Sequence, residues 1–132
     1  FLYHLCRSYS HQIPSASLTG SQRDLQRVTH VMNWVKVHYP EPLSLETAAD
    51  SLALSKEYFC RLFKKYTGQT FLEYLNDVRT MHLYEDLQNS DETITVLMEK
   101  NGLSNYKIFM RTFKKLYGST PQKMRSNRIR HV

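Results

Sequence analysis

The sequence predicts an all-α fold of about seven helices, in which one helical outline is used twice. Three observations carry this. First, Phe59-Cys-Arg-Leu-Phe-Lys-Lys-Tyr-Thr-Gly-Gln-Thr70 returns as Phe109-Met-Arg-Thr-Phe-Lys-Lys-Leu-Tyr-Gly-Ser-Thr120, with seven of twelve positions identical. Second, apolar residues recur at helical spacing between cap-forming residues and glycine stops. Third, no alternating apolar and polar run is free of competing helical periodicity, so no strand is expected. At 132 residues the chain is one domain or two very small ones, and 41% hydrophobic residues suffice for a core.

Taken in order, Phe1-Leu-Tyr-His-Leu-Cys6 reads as the last turn or two of an apolar helix. Ser8 to Gln22, rich in serine with Pro14 and Gly20, reads as a flexible connection. Ser21 and Asp24 have capping-box spacing, and Leu25, Val28, Met32 and Val35 share one face of the helix that follows. Tyr39-Pro-Glu-Pro42 stops it, because proline disfavours helix at the residue before it. Ser44 caps a short helix over about 45–52, Ala53-Leu54 forms a tight turn, and Ser55 caps a longer helix to about Tyr66. Gly68 suits the left-handed position after that helix.

Thr70 and Glu73 have capping-box spacing at the start of a long helix to about Gln88, with Phe71, Leu75, Val78, Leu83 and Leu87 apolar. Eighteen residues make a rod of roughly 27 Å. Asn89-Ser-Asp-Glu92 breaks it. Thr93 then caps a short helix over about 94–101, Gly102-Leu103 turns, and Ser104 caps a helix that Gly118 ends. Pro121 suits the first position of a last short helix, capped by Thr120. Short helix, tight turn and longer basic helix is the outline of a helix-turn-helix, and it occurs twice.

The organisation expected is the end of a preceding region plus linker over 1–22, a first helix-turn-helix subdomain over 23–69, a linker helix over 70–89, and a second subdomain with a basic tail over 90–132. The absence of an initiator Met suggests a piece of a longer protein.

The net charge of +6 is unevenly spread. Residues 105–132 hold eight Lys and Arg and no acid, which leaves the first 104 residues at −2. Such a cluster attracts polyanions. Cys6 and Cys60 are far apart, as in a reducing compartment. The histidines lack metal-ligand spacing, and no catalytic arrangement, cofactor motif or membrane span is read from the sequence.

The two basic helices are the candidate site. In the first, Tyr58, Phe59, Leu62, Phe63 and Tyr66 form the apolar face. In the second, Ile108, Phe109, Thr112, Phe113 and Leu116 are the expected buried set. The opposite faces carry Glu57, Cys60, Arg61 and Lys64, and Tyr106, Lys107, Met110, Arg111 and Lys114. An apolar side chain beside an arginine suits a thymine methyl next to a guanine edge. Base contacts are therefore expected from Glu57, Cys60, Arg61, Tyr106, Lys107, Met110 and Arg111, near the helix N-termini, where Lys56 and Asn105 also stand. Phosphate contacts are expected from Lys56, Lys64, Lys65, Lys114 and Lys115. Recognition helices on one face of duplex DNA must sit about 34 Å apart to enter successive major grooves, and a rigid helical rod can set that distance. A helical protein-interaction module with a basic face is the alternative, and a redox role for Cys60 beside Arg61 is the weaker one.

The layout closely resembles the DNA-binding domain of the AraC/XylS family of bacterial transcription regulators. Leu45-Glu-Thr-Ala-Ala49, Leu54-Ser55 and Phe59 to Gly68 look like the family's first motif. Phe71-Leu-Glu-Tyr-Leu75 and Arg79 look like its linker helix, and Ile94 to Ser104, Phe109 to Pro121 and Arg125 like its second motif. The family prefers a small alanine where this chain has Met98 and a phenylalanine where it has Leu103. The resemblance implies seven helices, two recognition helices in adjacent major grooves of promoter DNA, activation through RNA polymerase, an N-terminal sensing or dimerising domain preceding this region, and a place in the bacterial cytoplasm.

Overall fold

The computed structural model describes residues 19–130, and among them every regular element is an α-helix. The seven are α1 (Gly20–His38), α2 (Leu45–Ser51), α3 (Lys56–Thr67), α4 (Phe71–Asn89), α5 (Ile94–Lys100), α6 (Tyr106–Tyr117) and α7 (Pro121–Arg130). The expected apolar helix end at residues 1–6 lies outside the described residues. The chain divides into two compact units, one containing residues 43–71 with α1, the other residues 39–42 with everything from residue 72 onward.

In the first unit, α1 starts earlier than the sequence suggests. Thr19, not Ser21, forms the capping box: its N–H donates to Gln22 Oε1 at 2.8 Å, and the Gln22 N–H donates to Thr19 Oγ1 at 3.2 Å. Gly20 to Gln22 are therefore helix rather than connection. Asp24 is engaged elsewhere, paired with Arg27 at 3.0 Å and accepting from the Tyr58 hydroxyl at 3.2 Å. The α1 face that packs inward is Val28, Val31 and Val35. α3, which packs against both α1 and α2, buries Phe59, Leu62 and Phe63, and α2 buries the small Ala48 and Ala49. Phe71 completes an aromatic cluster, its ring centroid 5.8 Å from Phe59 and 5.9 Å from Phe63, both edge-on. Such geometry adds about 0.5–1.5 kcal/mol per pair beyond burial.

The second unit repeats the design with different side chains. Leu83 and Leu87 of α4, Leu97 and Met98 of α5, Leu103, and Phe109 and Phe113 of α6 form its core. Met98, 7% exposed, is packed within this cluster, so the larger side chain is absorbed into the core. Tyr84 stacks on Tyr117 with centroids 4.2 Å apart.

Two buried or half-buried arginines fasten this unit's loops. Arg79 Nε donates to the Tyr39 carbonyl and Nη2 to the Glu41 carbonyl, both at 2.6 Å. Burial lowers its pKa. Arg125 donates to the carbonyls of Glu92 at 2.6 Å and Ser90 at 3.1 Å. Half-buried Arg125 thus serves the scaffold, although it counts towards the basic tail.

The two turns are alike but not identical. Each places one residue in the left-handed region, Ala53 at φ 56° and Gly102 at φ 79°. In each, the next N–H reaches back into the short helix: Leu54 to the Ala49 carbonyl at 3.0 Å, Leu103 to the Met98 carbonyl at 2.8 Å. After that they diverge. Ser55 caps α3, its hydroxyl accepting from the Tyr58 N–H at 3.2 Å. The cap of α6 is Asn105, not Ser104: Asn105 Oδ1 accepts from the Ile108 N–H at 3.0 Å. The second turn is one residue longer.

Candidate nucleic-acid interface

Each unit presents one candidate face, the outward side of α3 in the first and of α6 in the second. Each helix begins at a side-chain cap and ends at a left-handed glycine, Gly68 at φ 78° and Gly118 at φ 72°. Phenylalanines on the opposite side fix each helix's rotation: Phe59, Phe63, Phe109 and Phe113 are wholly buried. What faces outward follows from the 100° step between residues.

On α3, Lys56, Glu57, Cys60, Arg61, Lys64 and Lys65 are all exposed. Lys56 Nζ lies 3.3 Å from Glu46 Oε1, a solvent-exposed pair of small energetic weight. Lys65 is exposed, its Nζ 5.4 Å from the centroid of the Tyr66 ring, a cation–π contact of small weight at such a site.

On α6, Tyr106, Lys107, Arg111, Lys114 and Lys115 are exposed. Two positions depart from expectation. Met110 is half-buried and packs against the core, so it presents only part of its side chain outward. Ile108, expected in the buried set, is 38% exposed. Its counterpart Tyr58 is 36% exposed, so both sit on the flank of the apolar stripe, where a helical-wheel reading is ambiguous. The last members of both apolar sets, Tyr66 and Leu116, are half-buried.

Lys115 also differs from its counterpart. Its Nζ lies 2.9 Å from Asp77 Oδ1 on α4. The pair sits at a cleft lined also by Glu73, Asn76, Ile108, Arg111 and Thr112. Asp77 has no counterpart in the repeated pattern, and 38 residues separate it from Lys115, so no local signal reveals it.

A second polar cleft, of about 400 Å³, opens on α7 between Ser119, Gln122, Lys123, Ser126 and Asn127. Thr120 caps that helix, its hydroxyl accepting from the Lys123 N–H at 3.2 Å. The i, i+3, i+4 recurrence of polar residues along α7 is the sequence signal for it.

Among the described residues no helix is long and apolar enough to cross a membrane. Two three-helix layouts, each ending in a capped and exposed basic helix, define a double helix-turn-helix DNA-binding domain. A family model for a helix-turn-helix domain matches residues 48–127. The chain is 31% identical over 111 residues to the HTH-type transcriptional activator RhaS of Escherichia fergusonii, covering 84% of this chain and 40% of RhaS. It is also similar to a solved transcriptional regulator with an AraC-type DNA-binding domain from Chromobacterium violaceum, at 25% identity and a TM-score of 0.68, over 78% of this chain and 92% of that one. A third likeness is to the DNA-binding domain of AdpA, a global transcriptional factor solved in complex with a target DNA. Here identity is 25% and the TM-score 0.68, over 76% of this chain and 91% of that one. The chain belongs to the AraC-type helix-turn-helix family of transcription regulators. It spans 40% of the length of RhaS, and 14% of the length of uncharacterized HTH-type transcriptional regulators of Staphylococcus aureus to which it is 33% identical over 102 residues.

Proposed function

We propose that this domain binds double-stranded promoter DNA sequence-specifically, with α3 and α6 as recognition helices in adjacent major grooves. The observation that carries the reading is the outward presentation of Arg61 with Lys64 on α3 and Arg111 with Lys114 on α6, on helices anchored by buried phenylalanines. Arginine forks onto guanine O6 and N7, a contact worth about 1–3 kcal/mol of discrimination. Glu57, Cys60, Tyr106, Lys107 and the exposed part of Met110 supply the remaining base contacts. Lys56, Lys64, Lys65 and Lys114 hold phosphates, and the cleft on α7 offers further donors to the backbone. Lys115 shares its ammonium with Asp77, as Lys56 does with Glu46.

The whole protein is a bacterial transcription activator that works through RNA polymerase, carries a sensing or dimerising domain in addition to this one, and acts in the cytoplasm at the nucleoid. This domain performs no catalysis. The family membership supports this reading, as does RhaS being a transcriptional activator.

A mobility-shift titration with promoter DNA at several salt concentrations tests it. Four phosphate contacts give a slope of about −3.6 in log K against log salt, a loss of about 150-fold between about 50 and 200 mM. Salt-insensitive binding, or none to any duplex, sinks the proposal.

A further inference from the structure

The two recognition helices carry the same Lys-Lys pair, yet the second lysine of each pair is treated differently. Lys65 has the neighbouring Tyr66 ring beside it and makes no ion pair among the described residues. Lys115 is held by Asp77 at 2.9 Å. The Asp77 side chain is 15% exposed, whereas Lys115 is 51% exposed. The carboxylate is thus the fixed partner, seated against α6, and the lysine is the partner free to swing. Glu73, one turn earlier on α4, lines the same cleft, and Arg111 lines it from the other side.

A carboxylate in this position competes directly with a phosphate. Both are oxyanions that accept from the same ammonium, so a lysine drawn to the carboxylate has fewer of its three N–H donors left for the phosphate. We propose that Asp77 tunes the strength of the second half-site: it keeps Lys115 on the protein, so that this lysine grips the DNA backbone less firmly than its counterpart Lys65 on α3 does. Asp77 is a positioning residue, acting on DNA only through Lys115. This inference rests on the DNA-binding reading above.

Because an exposed ion pair is weak, the brake is light. Removing it returns about a two- to five-fold gain in affinity. It also adds one phosphate contact, which steepens the salt slope by about 0.9. The same logic makes the two lysines unequal. Lys65→Gln removes a phosphate contact in the native protein, whereas Lys115→Gln removes a cation already engaged elsewhere.

The test is a double-mutant cycle on DNA affinity and salt slope, using one duplex that the native protein binds, with thermal melting of each variant to confirm folding. Asp77→Asn should tighten binding two- to five-fold and steepen the slope. Lys115→Gln should cost clearly less than Lys65→Gln. In the Asp77→Asn background, Lys115→Gln should abolish the gain. Glu73→Gln removes another carboxylate that lines the same cleft and so measures the bulk-charge contribution; it should tighten binding less than Asp77→Asn does. If Asp77→Asn tightens binding equally with Lys115 or glutamine at position 115, the carboxylate acts only through bulk charge and the proposal is overturned. Equal losses for Lys65→Gln and Lys115→Gln overturn it as well, while leaving DNA binding itself intact. Failure of the native protein to bind any duplex overturns both readings together.

Discussion

At the scale of single residues, the structure shows which positions are constrained by space and which by charge. Gly102 is constrained twice. Its φ of 79° lies in the left-handed region, and a Cβ there would sit 3.0 Å from Arg79 Nε and from the carbonyl oxygens of Tyr39 and Pro40. The Arg79 hydrogen bonds hold this loop in place, so these groups have little room to yield. Gly102→Ala is expected to destabilise the protein by about 1–3 kcal/mol, measured by urea unfolding. At Gly118 a Cβ would meet nothing within 4 Å, so Gly118→Ala should cost only the left-handed strain of about 1 kcal/mol. Ala53 adopts the same left-handed conformation at the matching turn with a Cβ already present, which shows that close packing, beyond backbone angle, demands glycine at position 102.

At the scale of elements, local signals and long-range contacts separate cleanly. Ser44, Ser55, Thr93, Thr120, Gly68 and Gly118 were legible in the sequence because caps and stops are decided within three or four residues. The structure differs from the sequence expectation where two cap-competent residues stand close together. Thr19 and Ser21 both fit a box, and Ser104 and Asn105 both fit a cap, so sequence spacing could not choose between them. The structure assigns the cap of α6 to Asn105. Asn105→Ala should therefore lower stability by about 0.5–2 kcal/mol, while Ser104→Ala should change it little; equal effects in chemical denaturation would contradict the assignment. Ile108 and Met110 depart from the helical-wheel expectation for a different reason. Both lie on the flanks of the α6 stripe, where one 100° step separates core from solvent.

The elements of the second unit also give it a pH response. Burial is the first cause raising the pKa of both Tyr39 and Tyr117 above 10.0, with lesser repulsion from Asp86 and Glu85 on Tyr39, and from Tyr84, Glu85 and Asp77 on Tyr117. A raised folded value means the fold favours the protonated phenol. That stabilisation is complete below pH 10.0 and disappears as pH rises through the folded values. Unfolding followed by phenolate absorbance should show stability falling only above about pH 10, and a Tyr117→Phe variant should lose part of that dependence. A fall beginning near neutrality would point to other groups.

At the scale of the whole molecule, the duplication is close but not exact. The short helices α2 and α5 start 49 residues apart, at Leu45 and Ile94, whereas α3 and α6 start 50 apart, at Lys56 and Tyr106. The extra residue lies in the second turn. The fold class, the helix count and the basic faces were all readable from the repeat, because apolar spacing and charge are written along each helix. The inequality of the two faces was only half readable. Glu57 and Cys60 against Lys107 and Met110 could be seen in the sequence; the seating of Met110 on the core and of Lys115 on Asp77 could not, because both depend on contacts from elements far away in the chain. One scaffold used twice with unequal faces predicts an asymmetric DNA site for one copy of the domain, rather than a palindrome.

The most direct test is selection of bound duplexes from a random library by the native domain and by its Arg61→Ala and Arg111→Ala variants. An asymmetric motif is expected, in which each variant relaxes a different base position, about one helical turn apart. A palindromic motif, loss of preference at the same position in both variants, or no enriched sequence at all would contradict it.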